Sequence, residues 1–295
     1  MTVLPDDTAK DPADYRTLRY AVRHDPTSGG GFVFINNHLR RRKLAYHPDV
    51  CFTLDTGSGT VTTPPVNIRD HDIRILPYNL PLGDGCVLTA SNATPLCRIG
   101  SRWFFYTDDA PVYRFAGKEA EIITLTNAES LRAFLLGDRL YVTDRDDCLL
   151  YEQDGRIVAE FYADTHIRIR GAEGDSREIL LTAPKTDGHC AVTEIGENLW
   201  KLDLTYPDTP ADPMLTVDFL GDRAEVFDAR NPDRLIADQF TTGLPFRLAL
   251  KQYGEPESLL VRLFPSEENR YFDLSVAPGC TVRGAEITFR HRATL

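Results

Sequence analysis

An all-β chain of antiparallel sandwiches or jelly rolls, in two or three lobes, is the architecture the sequence predicts. Three observations predict it. Short runs rich in Val, Ile, Phe, Tyr and Thr alternate apolar with polar residues and recur at about 8–12 residue spacing. Gly, Pro, Asn and Asp bound nearly every run, supplying turn chemistry. Only one stretch has helical spacing. At about 150 residues per domain, 295 residues suggest about two domains.

Residues 1–14 are polar, hold Pro5 and Pro12, and read as a tail or linker. Strands are expected at 18–22, 32–35, 51–54, 59–62, 73–76 and 87–89, then in the aromatic run Trp103-Phe104-Phe105-Tyr106 and at 111–115. Residues 15–119 are thus expected to form a first β-sandwich. Residues 126–135 predict a short helix, with Thr126 as cap, Glu129 close behind it and Gly137 as the stop. Strands resume at 140–142, 148–151, 157–161 and 166–170, making 120–205 a β-rich middle segment, either its own lobe or part of a jelly roll. Pro207, Pro210 and Pro213 mark the best candidate boundary, and the runs after it make 206–295 that jelly roll, galactose-binding-like in the resemblance given below.

Charge narrows the partners. Lys and Arg number 33 against 44 Asp and Glu, a net −11, so phosphate backbones and anionic lipid surfaces are repelled and neither nucleic acid nor membrane is an expected partner. No apolar run approaches the roughly 20 residues of a membrane helix, and the start lacks a signal-peptide h-region, so a cytoplasmic location is expected. The six cysteines form no CxxC pair and read mostly as buried thiols packing as small hydrophobes. The seven histidines are scattered, with no HExxH, so a metal site requires long-range convergence; no metal or cofactor is expected.

Motifs that carry chemistry are sparse. Phe52-Thr53-Leu54-Asp55-Thr56-Gly57-Ser58 has the form of an aspartic-protease loop, but two such carboxylates must share a proton and no second Asp-Thr-Gly exists. It reads instead as a hairpin joining 51–54 to 60–63, with Gly57 or Gly59 at positive φ. No GxSxG elbow is present, Gly29-Gly30-Gly31 reads as a turn rather than a phosphate cradle, and Arg40-Arg41-Arg42-Lys43 reads as a charged strand edge. Aromatic faces suit a sugar's C–H groups while Asp, Asn and Arg fork its hydroxyls. Trp103, Trp200, Tyr106 and Tyr113 are candidates, although aromatic strand residues are usually core.

Two blocks resemble one family. Gly31-Phe32-Val33-Phe34-Ile35-Asn36-Asn37, His47-Pro48-Asp49-Val50, Leu76-Pro77-Tyr78-Asn79-Leu80 and Thr94-Pro95-Leu96-Cys97 resemble a β-rich accessory region of bacterial family 35 β-galactosidases. Asp218-Phe219-Leu220-Gly221-Asp222, Leu235 to Phe246, and Leu260 to Pro265 resemble the galactose-binding-like jelly roll near the end of those enzymes, with Phe246 where a tryptophan is expected. The resemblance covers roughly 20–115 and 213–275. It implies a non-catalytic β-sandwich portion of a glycoside hydrolase, with a catalytic (β/α)₈ barrel as partner and galactosides as possible ligands. A barrel needs about 250 residues of alternating strand and helix, for which the fourteen before the first matched strand leave no room. No Asn-Glu-Tyr occurs, so no catalytic residue is carried over. Trp103, Tyr106 and Asn37 remain as candidate ligand-binding residues. The alternative expectation is a free-standing carbohydrate-binding module.

Overall fold

The computed structural model describes residues 2–3, 11, 14–39, 42–57, 59–172, 174–241, 244–266 and 278–295. Most of the tail 4–10, Arg40 and Arg41 of the basic stretch, and Ser58 of the Asp-Thr-Gly-Ser loop lie outside the described residues. Regular structure among the described residues is almost wholly strand, with one short α-helix and one 3₁₀ turn, so the all-β expectation holds. The chain divides into two compact units, Met1–Asp146 with Ile167–Ile179, and Asp147–His166 with Leu180–Leu295. Residues 120–205 are therefore shared between the units, and the proline-rich stretch lies within the second.

The first unit begins with β1 (Thr2–Val3), β2 (Arg19–Asp25) and β3 (Gly30–Asn37). Short strands come next: β4 (His47–Val50), β5 (Thr53–Asp55), β6 (Thr60–Thr62) and β7 (Val66–Ile68). Then come β8 (Asp72–Gly83), β9 (Cys86–Ser91), β10 (Thr94–Ile99), β11 (Arg102–Tyr106), β12 (Tyr113–Gly117) and β13 (Ile122–Leu125). The main sheet has the order β1-β2-β3-β8-β9-β12. Strand alternation turns Val33 and Ile35 of β3 inward and leaves Phe34 exposed. With Val22, Leu76 and Tyr78 they pack on Phe52, Leu54, Val66 and Ile68, which lie in and beside the pairs β4-β7 and β5-β6. Each such side chain contributes about 1.5–3 kcal/mol by leaving water. Asp55, Thr56, Gly57 and Gly59 turn β5 into β6, with Gly57 at φ +74° and Gly59 at φ +149°, so the hairpin reading of this loop is correct.

The helix expected over 126–135 is shorter than its spacing predicts. Only α1 (Asn127–Ser130) is helical, closed by a capping box between Thr126 and Glu129. The apolar residues after it form β14 (Ala133–Leu136), which pairs with β15 (Arg139–Thr143) from Ala133 opposite Val142 to Leu136 opposite Arg139. Gly137, at φ +59°, turns this hairpin rather than ending a helix. Cross-strand pairing outweighs helical spacing where one turn of helix buries no residue. The chain then makes β16 (Leu149–Gln153) and β17 (Arg156–Phe161), which belong to the second unit. It next forms β18 (Thr165–Arg170) and β19 (Ser176–Leu181), completing the sheet β14-β15-β18-β19.

The second unit continues with β20 (His189–Gly196), β21 (Leu199–Thr205), β22 (Asp212–Leu220), β23 (Arg223–Asp228) and β24 (Asn231–Phe240). It ends with β25 (Phe246–Ala249), a 3₁₀ turn Leu250–Tyr253, β26 (Ser258–Phe264) and β27 (Thr281–Thr294). Two five-stranded sheets result, β16-β17-β27-β22-β25 and β20-β21-β26-β23-β24. The pairings are nested: β17 with β27, β21 with β26, β22 with β25 and β23 with β24, all antiparallel. That is the order of one long hairpin ribbon wound into two sheets, a jelly roll. Alternate residues of both sheets, including Leu202, Leu215, Val217, Val226, Leu248, Leu259, Val261 and Phe289, meet in one core. Among the described residues no helix is long and apolar enough to cross a membrane.

Candidate functional site

The aromatic strand β11 lies between two cores, and its alternation separates the two candidates it carries. Trp103 and Phe105 turn toward Leu82, Cys86, Leu88 and Ala93. Tyr106 and Phe104 turn the other way, toward Ile99, Leu125, Leu140 and Val142. Trp103 is half-buried; its indole Nε1–H donates to the Leu82 carbonyl at 3.3 Å and the Arg98 guanidinium lies 5.6 Å from its ring centroid. Asn37 sits at the end of β3, 3% exposed, with its amide Nδ2 donating to the carbonyls of Ala45 and Arg69, each at 2.8 Å. Trp103 and Tyr106 thus occupy opposite faces of one strand, and Asn37 fastens the end of another. Of the other aromatic candidates, Trp200 is core, and Tyr113 shares a hydrogen bond with Thr124 at 2.8 Å.

In the first unit a cleft of about 580 Å³ is lined by His24, Thr27, Ser28, Gly29, Asp55 and Thr56. His24 Nδ1, on this lining, lies 3.1 Å from the Tyr78 hydroxyl. Beside it, Gly30 and Gly31 are packing residues rather than a loose turn. A Cβ at Gly30 would lie 2.4 Å from the Asn79 carbonyl oxygen, and one at Gly31 2.0 Å from that of Arg23. The Asp55 carboxylate accepts the Gly57 N–H at 2.9 Å, a local turn contact.

The second unit has the more developed polar site. A cleft of about 560 Å³ is lined in part by Phe161, Leu181, Asp212, Arg290, His291 and Arg292. Register explains the convergence: Glu160 on β17 stands opposite Arg292 on β27, and Asp212 on β22 opposite Arg290. Arg290 reaches Glu160 at 3.3 Å and Asp212 at 2.7 Å. Arg292 reaches Glu160 at 2.8 Å, the Tyr151 hydroxyl donates to Glu160 at 3.0 Å, and Lys251 lies 3.4 Å from Asp212. Burial alone would raise the Asp212 pKa, but the hydrogen bonds and charges of Arg290 and Lys251 outweigh it and hold the carboxyl below its ordinary value. Burial lowers the His291 pKa, and the ring lies 5.7 Å from that of Phe161. Arg290 Nε is buried with no hydrogen-bond partner among the described residues.

This arrangement can hold anions ionised, present guanidinium donors and offer an aromatic wall. The Asp212 carboxyl, held below its ordinary value by Arg290 and Lys251, is poorly suited to donating a proton. Cys97 and Cys190 are likewise disfavoured as nucleophiles, burial pushing each thiol up to about 11. Among the described residues no group of three or more His, Cys, Asp or Glu is placed to hold a metal ion. Sequence reasoning missed the Glu160–Arg290–Asp212 cluster because its members sit on three separated strands. The one local signal was Glu160, a charged residue inside the apolar run 157–161. No family model, curated protein or solved structure matches this chain.

Proposed function

We propose that this chain is a non-catalytic β-sandwich portion of a glycoside hydrolase of the family 35 β-galactosidase type. Its role in that reading is to cover one flank of a (β/α)₈ catalytic domain and shape the substrate cleft from outside. The single observation carrying the non-catalytic part is the ion pairing of two carboxylates to Arg290. Glu160 and Asp212 are both ion-paired to Arg290, and Asp212 is held below its ordinary pKa. Glycoside hydrolysis requires one carboxyl raised so that it can protonate the leaving oxygen. The two blocks that resemble the family lie in separate units, 31–97 in the first and 218–265 in the second, consistent with two accessory modules.

A second reading, a carbohydrate-binding module, is favoured by the cleft whose lining brings Arg290 and Arg292 together with the Phe161 and His291 rings, 5.7 Å apart. The test uses the purified chain with a chromogenic galactoside, then calorimetry with galactose and lactose at millimolar concentration. No turnover and flat heats are expected. Turnover that disappears in Glu160→Gln would overturn the reading, and sugar heats lost in Arg290→Met would replace it with the binding module. The gene's upstream reading frame supplies an independent check: a βα-repeating barrel containing Asn-Glu-Tyr is expected, and an in-frame stop favours the module.

A further inference from the structure

We propose that β20 is the docking edge for a second copy of this chain, the two strands pairing antiparallel about a twofold axis through Val192. The proposal stands independently of any role in glycoside hydrolysis. β20 (His189–Gly196) ends its sheet and pairs with β21 alone among the described residues. Every residue from Ala191 to Gly196 is exposed, Val192 at 38% and Ile195 at 49%.

The pairing of β21 with β26 fixes which main-chain groups of β20 point outward. The Leu204 N–H donates to the Glu257 carbonyl at 2.8 Å and the Leu263 N–H to the Asn198 carbonyl at 2.9 Å, so even-numbered residues of β21 turn their main-chain groups to β26. Its odd-numbered residues Lys201, Asp203 and Thr205 therefore bond Thr193, Ala191 and His189. The N–H and C=O groups of Cys190, Val192 and Glu194 are left on the open edge. One antiparallel register alone pairs all three with a second copy. It sets Val192 opposite the partner's Val192, and Cys190 opposite the partner's Glu194. Each such pair exchanges two main-chain hydrogen bonds, about six in all. No like charges stand opposite each other, two β-branched side chains meet on the axis, and one patch serves both chains, as an isologous dimer requires.

The other sheet edges of the second unit are short or defended, and this one is neither. β25 has four residues and runs into a 3₁₀ turn, and β16 has five. β24 is long but carries Pro232, Asp233, Arg234 and Asp238 and two register shifts. β20 has eight residues with no proline, lysine or arginine, and pairs without a shift from His189 to Glu194. An edge lacking such devices is a template for another strand. The competing account is that Glu194 and the bulge between it and Gly196 protect the edge and keep the chain monomeric.

The experiment is sedimentation of the full chain from micromolar to millimolar concentration, with amide hydrogen exchange measured at both ends of that range. A reversible dimer is expected. The Cys190, Val192 and Glu194 amides should gain protection as it forms, while those of Ala191 and Thr193, already bonded to β21, change little. Val192→Lys and Val192→Glu should each abolish the dimer, because like charges then meet on the axis, and an equimolar mixture of the two variants should restore it. A wild-type chain that is monomeric throughout overturns the proposal, as does a dimer that survives Val192→Lys or leaves the three amides unprotected. Should a variant unfold, the alternating protection in the wild-type chain decides by itself.

Discussion

Arg290 donates to Asp212 at 2.7 Å across the β22–β27 pair and reaches Glu160 on β17 at 3.3 Å, so one guanidinium ties three adjacent strands of the jelly roll. Arg290→Met should leave Asp212 with only Lys251, and Glu160 with Arg292 and the Tyr151 hydroxyl. Because the guanidinium is partly solvated, the expected cost is about 2–3 kcal/mol, below that of breaking a fully buried pair. Urea unfolding measures it. Adding Asp212→Asn in the Arg290→Met background should cost far less than Asp212→Asn alone, since the partner is already gone. Equal costs in the two backgrounds would show that the pair is decorative.

The same pair gives stability a pH dependence of definite sign. Asp212 has a folded pKa below its unfolded one, so its ion pair contributes fully above the unfolded value. The contribution is lost as pH falls through the folded value. Wild-type unfolding midpoints should therefore drop more steeply than those of Asp212→Asn below about pH 4, the ordinary aspartate range. Parallel curves down to about pH 2.5 would assign the acid sensitivity to other carboxylates.

Strands are readable because burial on one face imposes a period of two, as Val33 and Ile35 against Phe34 or Leu215 and Val217 against Thr216 illustrate. What that period does not contain is the partner of each strand. β17 pairs with β27 from the far end of the chain, and only closure of the ribbon brings Glu160 to Arg290 and Arg292. The excursion of 147–166 into the second unit leaves no local mark, since its hairpin β16–β17 is closed by the same antiparallel pairing as its neighbours. Asn37 shows a further limit. An asparagine at a strand end can fork a ligand or fasten a loop, and its two carbonyl partners, Ala45 and Arg69, come from segments the sequence does not place beside it. The helix is cut short for an energetic reason, because Ala133–Leu136 can satisfy both backbone and side chains against β15.

Gly31 offers a steric test of the first unit. A Cβ there would meet the Arg23 carbonyl oxygen at 2.0 Å and the Tyr78 hydroxyl at 2.6 Å, both in packed strands. Gly31→Ala should cost about 3 kcal/mol and disturb the His24–Tyr78 contact. Gly57→Ala meets open space and only the positive φ, so about 1 kcal/mol is expected. Thermal denaturation of the two variants side by side checks the order. A reversal would mean that the β2–β3–β8 spacing relaxes easily.

Thr126 and Glu129 test whether a single turn of helix can link sheets within the first unit. The Glu129 N–H donates to the Thr126 hydroxyl at 3.2 Å, and Glu129 Oε2 accepts the Thr126 N–H at 2.8 Å. The other oxygen, Oε1, accepts from Arg168 on β18. Burial alone would raise the Glu129 pKa, but the Thr126 N–H and the Arg168 guanidinium lower it overall, so the carboxylate is the charged hinge of this contact. Thr126→Ala should cost about 1 kcal/mol, the usual value of a lost cap. Arg168→Met should cost a similar amount, and the double variant should fall short of the sum by about 0.5 kcal/mol or more, because both changes loosen the same carboxylate. Strict additivity in urea unfolding would mean that Glu129 holds its cap and its ion pair independently, and that α1 does not couple β13 to β18.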